Sequence, residues 1–297
     1  MRGCVAGLHV ESMTPDALQD VEAYLRAHAY SAMYLRAQLH NPEGRFELAR
    51  ERGRIVGVGT QLNNGMVVLQ ASTGAAALTL ALVQHGRRLG GFFGPVGQVK
   101  AARHELGLAL TPTLKDTDED LFSLALDDLQ LPSTDSTLSP VCRVATAADA
   151  TLLVSWRCAF RESTLGDVAG PGLQLRAEAD IAALLAAGSL FVLEAGGHGG
   201  ALQALACCSF NARLPDMVQI GNVWTPPALR GKGYARAVVA GALRIAAAMG
   251  VVSAVLSTGR HNVAAQAAYR SIGFAVVGDY ATVRFSHDVA LPPGLAG

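Results

Sequence analysis

Met217-Val-Gln-Ile-Gly-Asn-Val-Trp-Thr-Pro-Pro-Ala-Leu-Arg-Gly-Lys-Gly-Tyr-Ala235 is the stretch on which the fold turns. Residues 217–225 read as a strand, and Pro226 and Pro227 end it because proline cannot donate to a ladder. Arg230-Gly-Lys-Gly233 then opens a helix-period segment, residues 234–249, closed by Gly250. A helix start presents unpaired N–H groups and the positive end of its dipole. Glycines there let backbone approach an anion closely, and Arg230 and Lys232 add positive charge. The turn therefore suits a diphosphate. It lacks the G-x-x-x-x-G-K-[ST] phosphate loop. It also lacks the third glycine of a dinucleotide fingerprint, because Arg236 stands where that glycine would be.

Downstream, residues 251–257 read as a strand of buried type and 263–272 as a helix stopped by Gly273. Within Asn262-Val-Ala-Ala-Gln-Ala-Ala-Tyr-Arg-Ser-Ile-Gly-Phe274, residues Asn262, Gln266 and Tyr269 are spaced four and three apart, so they share one helix face. Two patterns now stand in order: Arg-x-x-Gly-x-Ala after a strand and two prolines, then N-x-x-A…Y-x-x-x-G-F. Together they resemble motifs A and B of the GNAT superfamily of N-acetyltransferases, over roughly residues 141–287.

The resemblance implies a mechanism. Two central parallel strands, here 217–225 and 251–257, splay apart at their C-terminal ends and admit the pantetheine arm of acetyl-CoA. Backbone N–H groups around Val223, Trp224 and Thr225 bind that arm and the thioester carbonyl. Arg230, Gly231, Lys232, Gly233, Tyr234 and Ala235 hold the diphosphate. Asn262, with Gln266 on the same face, meets the cofactor's amide arm. The Tyr269 hydroxyl hydrogen-bonds or protonates the departing thiolate. The implied reaction moves an acetyl group to a primary amine of a small molecule or amino acid by direct attack. The alternatives are a protein or peptide amine, a longer acyl chain, or a non-catalytic acyl-CoA sensor. Many relatives place a carboxylate base on the first strand, but 219–225 contain no acid. Glu162, expected in a loop between two helices, is the candidate base. Glu194 and Asp216 read as surface acids at strand ends, and a water chain to solvent is the other route.

Around these motifs the second half reads β-α-α-β-β-β-α-β-α-β-β. Strands are expected at 142–145, 190–195, 201–210, 274–278 and 280–287, and helices at 149–160 and 172–187. Residues 131–140, rich in Pro, Ser and Thr, read as a linker. Residues 1–130 repeat the order faintly. Helices are expected at 15–28, 31–39, 74–85 and 98–106, and strands at 46–51, 55–62, 66–71, 91–94, 110–114 and 121–126. The counterpart turn there, Gln70-Ala-Ser-Thr-Gly74, has neither the arginine nor the paired glycines, and residues 94–106 lack the Asn and Tyr. The expected organisation is mixed α/β. It has two tandem GNAT-like domains, each a mostly antiparallel sheet with helices on both faces. Residues 1–130 form a degenerate, non-catalytic copy, and residues 141–297 the catalytic domain.

Bulk properties agree. The 297 residues suit two domains, and 51% hydrophobic against 16% charged residues argues for packed cores rather than disorder. A net charge of zero gives no support for a nucleic-acid partner. Five cysteines, an odd number without C-x-x-C spacing, fit neither a disulfide framework nor a zinc site, so no metal is expected. Cys207 and Cys208 are strand neighbours and should face opposite ways, with neither a nucleophile. His198, in a glycine loop, reads as solvated. No secretory signal is read at the N-terminus. Residues 235–256 contain Arg236, Arg244 and Gly250, which argues against a membrane span. A cytoplasmic monomer or homodimer is the expectation.

Overall fold

The computed structural model describes residues 7–39, 41, 44–84, 88–132, 140–196 and 202–291. In chain order it forms β1 (Leu8–Ser12), α1 (Leu18–Ala27), α2 (Met33–Gln38), β2 (Phe46–Glu51), β3 (Arg54–Gln61), β4 (Met66–Ala71), α3 (Ala75–Leu82), β5 (Leu89–Gly94), α4 (Val96–Glu105) and β6 (Thr113–Ala125). It continues with β7 (Val141–Val144), α5 (Ala150–Leu165), α6 (Pro171–Ala186), β8 (Leu190–Gly196), β9 (Leu202–Arg213), β10 (Met217–Trp224), α7 (Tyr234–Ala248), β11 (Ser253–Gly259), α8 (Val263–Arg270) and β12 (Ala275–Val289). The fold is mixed α/β, as the sequence led us to expect. Cys4 and His198 lie outside the described residues.

Two compact units result: Met1–Leu121 with Gly278–Gly297, and Phe122–Val277. These do not coincide with the expected division at 131–140. The chain's last strand, β12, pairs with β5 of the first unit. Residues past Leu121 belong instead to the second unit, where Leu126 donates to Val252 O at 2.9 Å and Gln130 to Ile272 O at 3.1 Å. The linker expected at 131–140 falls mostly on residues 133–139, which lie outside the described ones; composition carries no record of which distant strand each end of a segment will pair with.

In the second unit β7, β8, β9 and β10 are antiparallel neighbours, β11 runs parallel beside β10, and the end of β6 lies next to β11. Strand alternation sends successive side chains to opposite faces. Phe191, Leu193, Ala206, Cys208 and Phe210 pack with Val238, Val239, Ala242, Leu243 and Ala246 of α7. Their neighbours Leu190, Val192 and Cys207 pack on the other face with Leu153 of α5 and Ile181 of α6. Each fully buried Leu, Val or Phe contributes roughly 1.5–3 kcal/mol relative to exposure. The adjacent cysteines therefore do face opposite ways.

The first unit repeats this plan. Strands β1 to β4 are antiparallel, and β5 is parallel to β4. Phe46, Leu48, Val58 and Val68 meet α1 and α2 on one face, while Ala49, Val67, Leu69 and Ala71 meet α3 and α4 on the other. Three sequence expectations are corrected. The strands expected at 274–278 and 280–287 are one long strand, Ala275–Val289, because no proline or hydrogen-bonded turn interrupts it. The strands expected at 110–114 and 121–126 are likewise replaced by the single β6, residues 110–112 lying outside it. The strand β1 was not anticipated; it is short and half exposed, so it lacks a clear apolar pattern.

Helix α5 shows what starts an element here. Thr146 and Asp149 form a capping box just before it. The same carboxylate receives the Arg143 guanidinium at 2.8 Å, and that hydrogen bond, helped by the Thr146 amide, lowers the Asp149 pKa to about 2. A depressed carboxylate pKa stabilises the fold above its unfolded value, and that contribution disappears as pH falls through the folded value. For Asp149 the window runs from about pH 4 to about pH 2. Asp149→Asn is expected to lower stability at pH 7 by ~1 kcal/mol and to flatten the acid limb. Urea melts from pH 7 to pH 2 read both effects, and an unchanged acid limb would contradict the assignment.

Candidate active site

The ladder between β10 and β11 covers only Met217–Gln219 against Ser253–Val255. Beyond it both strands continue, to Trp224 and Gly259, without pairing to each other. The two parallel strands therefore splay at their C-terminal ends. On its other side β10 pairs with β9, with a register shift between Gly221 and Trp224. Gly221 faces Ser209 and Trp224 faces Cys207, so β10 carries one extra residue there, a β-bulge. Within it Asn222 takes φ 52°, a left-handed conformation uncommon outside glycine. Asn222 and Val223 have no register partner on β9 or β11.

The splay leads into the glycine turn. Gly231 (φ 78°) and Gly233 (φ 81°) are both left-handed, and Gly233 is the N-cap of α7, which no side chain caps. A Cβ on Gly231 would meet nothing within 4 Å, so the space above this turn is open. Arg230 is exposed; its Nε donates to Thr225 O at 3.1 Å and its guanidinium lies 5.0 Å from the Trp224 ring centre. Lys232 is exposed. Three buried polar atoms beside this turn have no hydrogen-bond partner: Thr225 Oγ1, Trp224 Nε1 and Arg236 Nε. Orphaned groups are costly to bury, and a polar ligand would satisfy them. An open glycine turn at a helix start, below a splayed strand pair, fits the diphosphate and amide arm of coenzyme A.

Helix α8 carries the other sequence-selected residues. Asn262 is its N-cap, the side-chain oxygen accepting from Ala265 N at 3.2 Å. Gln266 is buried: its Nε2 donates to Arg260 O at 3.0 Å, and its oxygen accepts from Arg270 at 2.9 Å. These contacts close the loop that joins β11 to α8. Tyr269 is 7% exposed, with its ring edge-on to Phe122 and Phe274 at 6.3 and 6.2 Å.

Glu162 does not lie in a loop. It is exposed in the last turns of α5, which runs on to Leu165, and it shares that surface with Cys158. Periodicity is weak there because Arg161, Glu162, Ser163 and Thr164 are all polar, so the helix was read too short. Glu194 is bound to Arg143 at 2.7 Å. Asp216 precedes β10 at its far end, roughly 25 Å from the glycine turn at ~3.3 Å per residue.

A polar cluster beside the bulge escaped sequence reading. From α5, Arg157 donates to Asn222 Oδ1, and its Nε and Nη2 reach Asp180 of α6 at 2.8 and 2.7 Å. Arg161, one turn on, binds the same Asp180 and Asp167 at 2.7 Å. Burial pulls the Arg157 pKa below the ordinary guanidinium value, with Asp180 opposing. Asn222 Nδ2 donates to Ser209 Oγ at 2.7 Å and to Asn211 Oδ1 at 3.0 Å. The i, i+4 arginines were visible in the sequence, but nothing in it joined them to Asp180 or Asn222.

Comparison with known proteins gives one family match: residues 155–274 fit the acetyltransferase (GNAT) family. No curated protein sequence matches the chain. Among solved structures, an acetyltransferase from the GNAT family of Colwellia psychrerythraea is similar at 17% identity and TM-score 0.53, covering 94% of this chain and 100% of that one. A GCN5-related N-acetyltransferase from Sphaerobacter thermophilus is similar at 13% identity and TM-score 0.60, covering 97% and 96%. A tandem GNAT protein from the clavulanic acid biosynthesis pathway is similar at 14% identity and TM-score 0.53, covering 93% and 97%. At these identities the likeness concerns the fold.

Proposed function

We propose, from the fit of residues 155–274 to the acetyltransferase (GNAT) family, that this chain acetylates a primary amine of a small molecule or amino acid by direct attack on acetyl-CoA. The observation that carries this reading is the splay of β10 from β11 opening onto the left-handed glycine turn. Acetyl-CoA supplies an activated acyl carbon. In the reaction a C–N bond replaces the C–S bond, one proton leaves the amine and one reaches the thiolate.

The chain's own residues divide that work. Backbone of Arg230, Gly231, Lys232, Gly233, Tyr234 and Ala235 holds the diphosphate, helped by the α7 dipole. Amides of the Val223–Trp224–Thr225 segment hold the amide arm and the thioester oxygen. Asn262 fixes the start of α8, and Gln266 its loop, so that the helix face toward the arm is set. Tyr269 supplies the hydrogen bond or proton for the thiolate. Burial raises the Cys207 thiol to about 12, so it holds its proton at pH 7, which favours direct attack over an acyl-cysteine route. Glu162, exposed on α5, is the remaining side-chain base on that helix. A water path to solvent serves the amine equally well.

The first unit is proposed to be non-catalytic. Its parallel pair runs to Val68 against Phe93, one residue before β5 ends at Gly94, and the Ala71 amide is taken by Gln98 Oε1 at 2.7 Å. An amide at the end of β4 is thus satisfied within the protein.

The chain is expected to release free thiol from acetyl-CoA in the presence of selected small primary amines, measured across an amine library. No release above hydrolysis with any small amine, together with acetylation of peptides, would move the acceptor to the protein class.

A further inference from the structure

We propose that Arg157 is a positioning residue for acyl transfer. By gripping Asn222 it holds the β10 bulge that frees the Asn222–Val223 backbone to face the acyl donor. The inference rests on the reading of β10 given above.

Four observations converge on it. The bulge residue Asn222 is left-handed without being glycine, an uncommon conformation that its side-chain contacts support. Its side chain is held at both ends: Arg157 donates to Oδ1, while Nδ2 donates to Ser209 and Asn211. The grip is itself anchored, since Arg157 spends Nε and Nη2 on Asp180, which Arg161 also binds. Lastly, the strand is built to admit the network: Gly221 leaves the room that the Asn211 side chain fills, and a Cβ there would collide with it. The Arg157 side chain is only 12% exposed, and a guanidinium so far out of water is costly unless paired, so this arrangement is more than a surface ion pair. Without the grip, Asn222 can relax to an extended conformation. The extra residue then redistributes along the strand, and the unpaired amides turn away from the donor.

The test is isotope-edited infrared spectroscopy of [13C-carbonyl]acetyl-CoA bound to the full chain, with affinity measured alongside by calorimetry. In the wild type the carbonyl band is expected below its position in free acetyl-CoA, because hydrogen bonding weakens the C=O bond. Arg157→Met keeps the stem's packing and leaves Asp180 paired with Arg161. It is expected to lose most of that downshift, to bind acetyl-CoA within about threefold of wild type, and to lose about 10- to 100-fold in turnover. Arg157→Lys, which restores charge but not the fork, is expected to recover only part of the downshift. Should Arg157→Met fail to fold, Asn222→Ala leaves the Arg157–Asp180 pair intact and is expected to lose the same downshift. A full downshift in either variant overturns the role of the grip. No downshift in the wild type instead overturns the reading of β10 as the carbonyl-binding strand, and the inference falls with it.

Discussion

Gly231→Ala is expected to weaken acetyl-CoA binding about 10- to 100-fold while leaving the fold intact. Gly231 sits at φ 78°, where an L-residue costs roughly 1–2 kcal/mol; a turn that relaxes in the free variant must recover that conformation on binding, about 5- to 30-fold in affinity, and the methyl standing in the ligand's space adds to the loss. The added methyl meets no protein atom within 4 Å, so it cannot disturb the core. It does stand in the open space above the turn and turns the following amides from their present direction. Gly250→Ala is the matched control. It has φ 90°, equally open surroundings and a place at the opposite end of α7. Both variants should show a similar small loss in thermal midpoint, and only Gly231→Ala a loss of binding. Equal affinities in calorimetry would remove the turn from the binding site.

Tyr269→Phe is expected to lower turnover about 100-fold, the low end of what a positioned general acid contributes. The ring stays edge-on to Phe122 and Phe274, so the core is preserved. Loss of the hydroxyl should lower stability by no more than the ~1 kcal/mol of one hydrogen bond. Acetyl-CoA affinity should not change. Single-turnover kinetics with an accepted amine separate these effects. A turnover like wild type would mean that another donor serves the thiolate and that Tyr269 is a packing residue alone.

What the sequence revealed follows from how local each signal is. The glycine turn, the prolines before it and the Asn262–Tyr269 spacing are all contained within single elements, so the strand–turn–helix at 217–249 and the helix after it were legible. Element order was legible for the same reason. Pairing was not. Nothing near Tyr280 announces that its strand will lie against Leu89–Gly94, and so the exchange of chain ends between the two units was missed. The site divides in the same way. Its backbone parts were readable because glycine and proline constrain backbone directly. The Arg157–Asn222–Asp180 grip joins residues up to 65 positions apart, and no periodicity encodes that. Two selected residues also gained a structural role that spacing could not show. Asn262 caps α8 and Gln266 ties the loop before it, tasks done within the protein itself. Glu162 went astray because a polar helix end and a loop share the same composition.

Titration of acetyl-CoA into the full chain by calorimetry bears most directly on the claim that the splayed cleft of the second unit is the working site and that the first unit, where Gln98 takes the Ala71 amide, holds none. One site per chain is expected, with its affinity falling in Gly231→Ala and unchanged in Gln98→Glu. No binding, two sites per chain, or one site indifferent to Gly231 would contradict it.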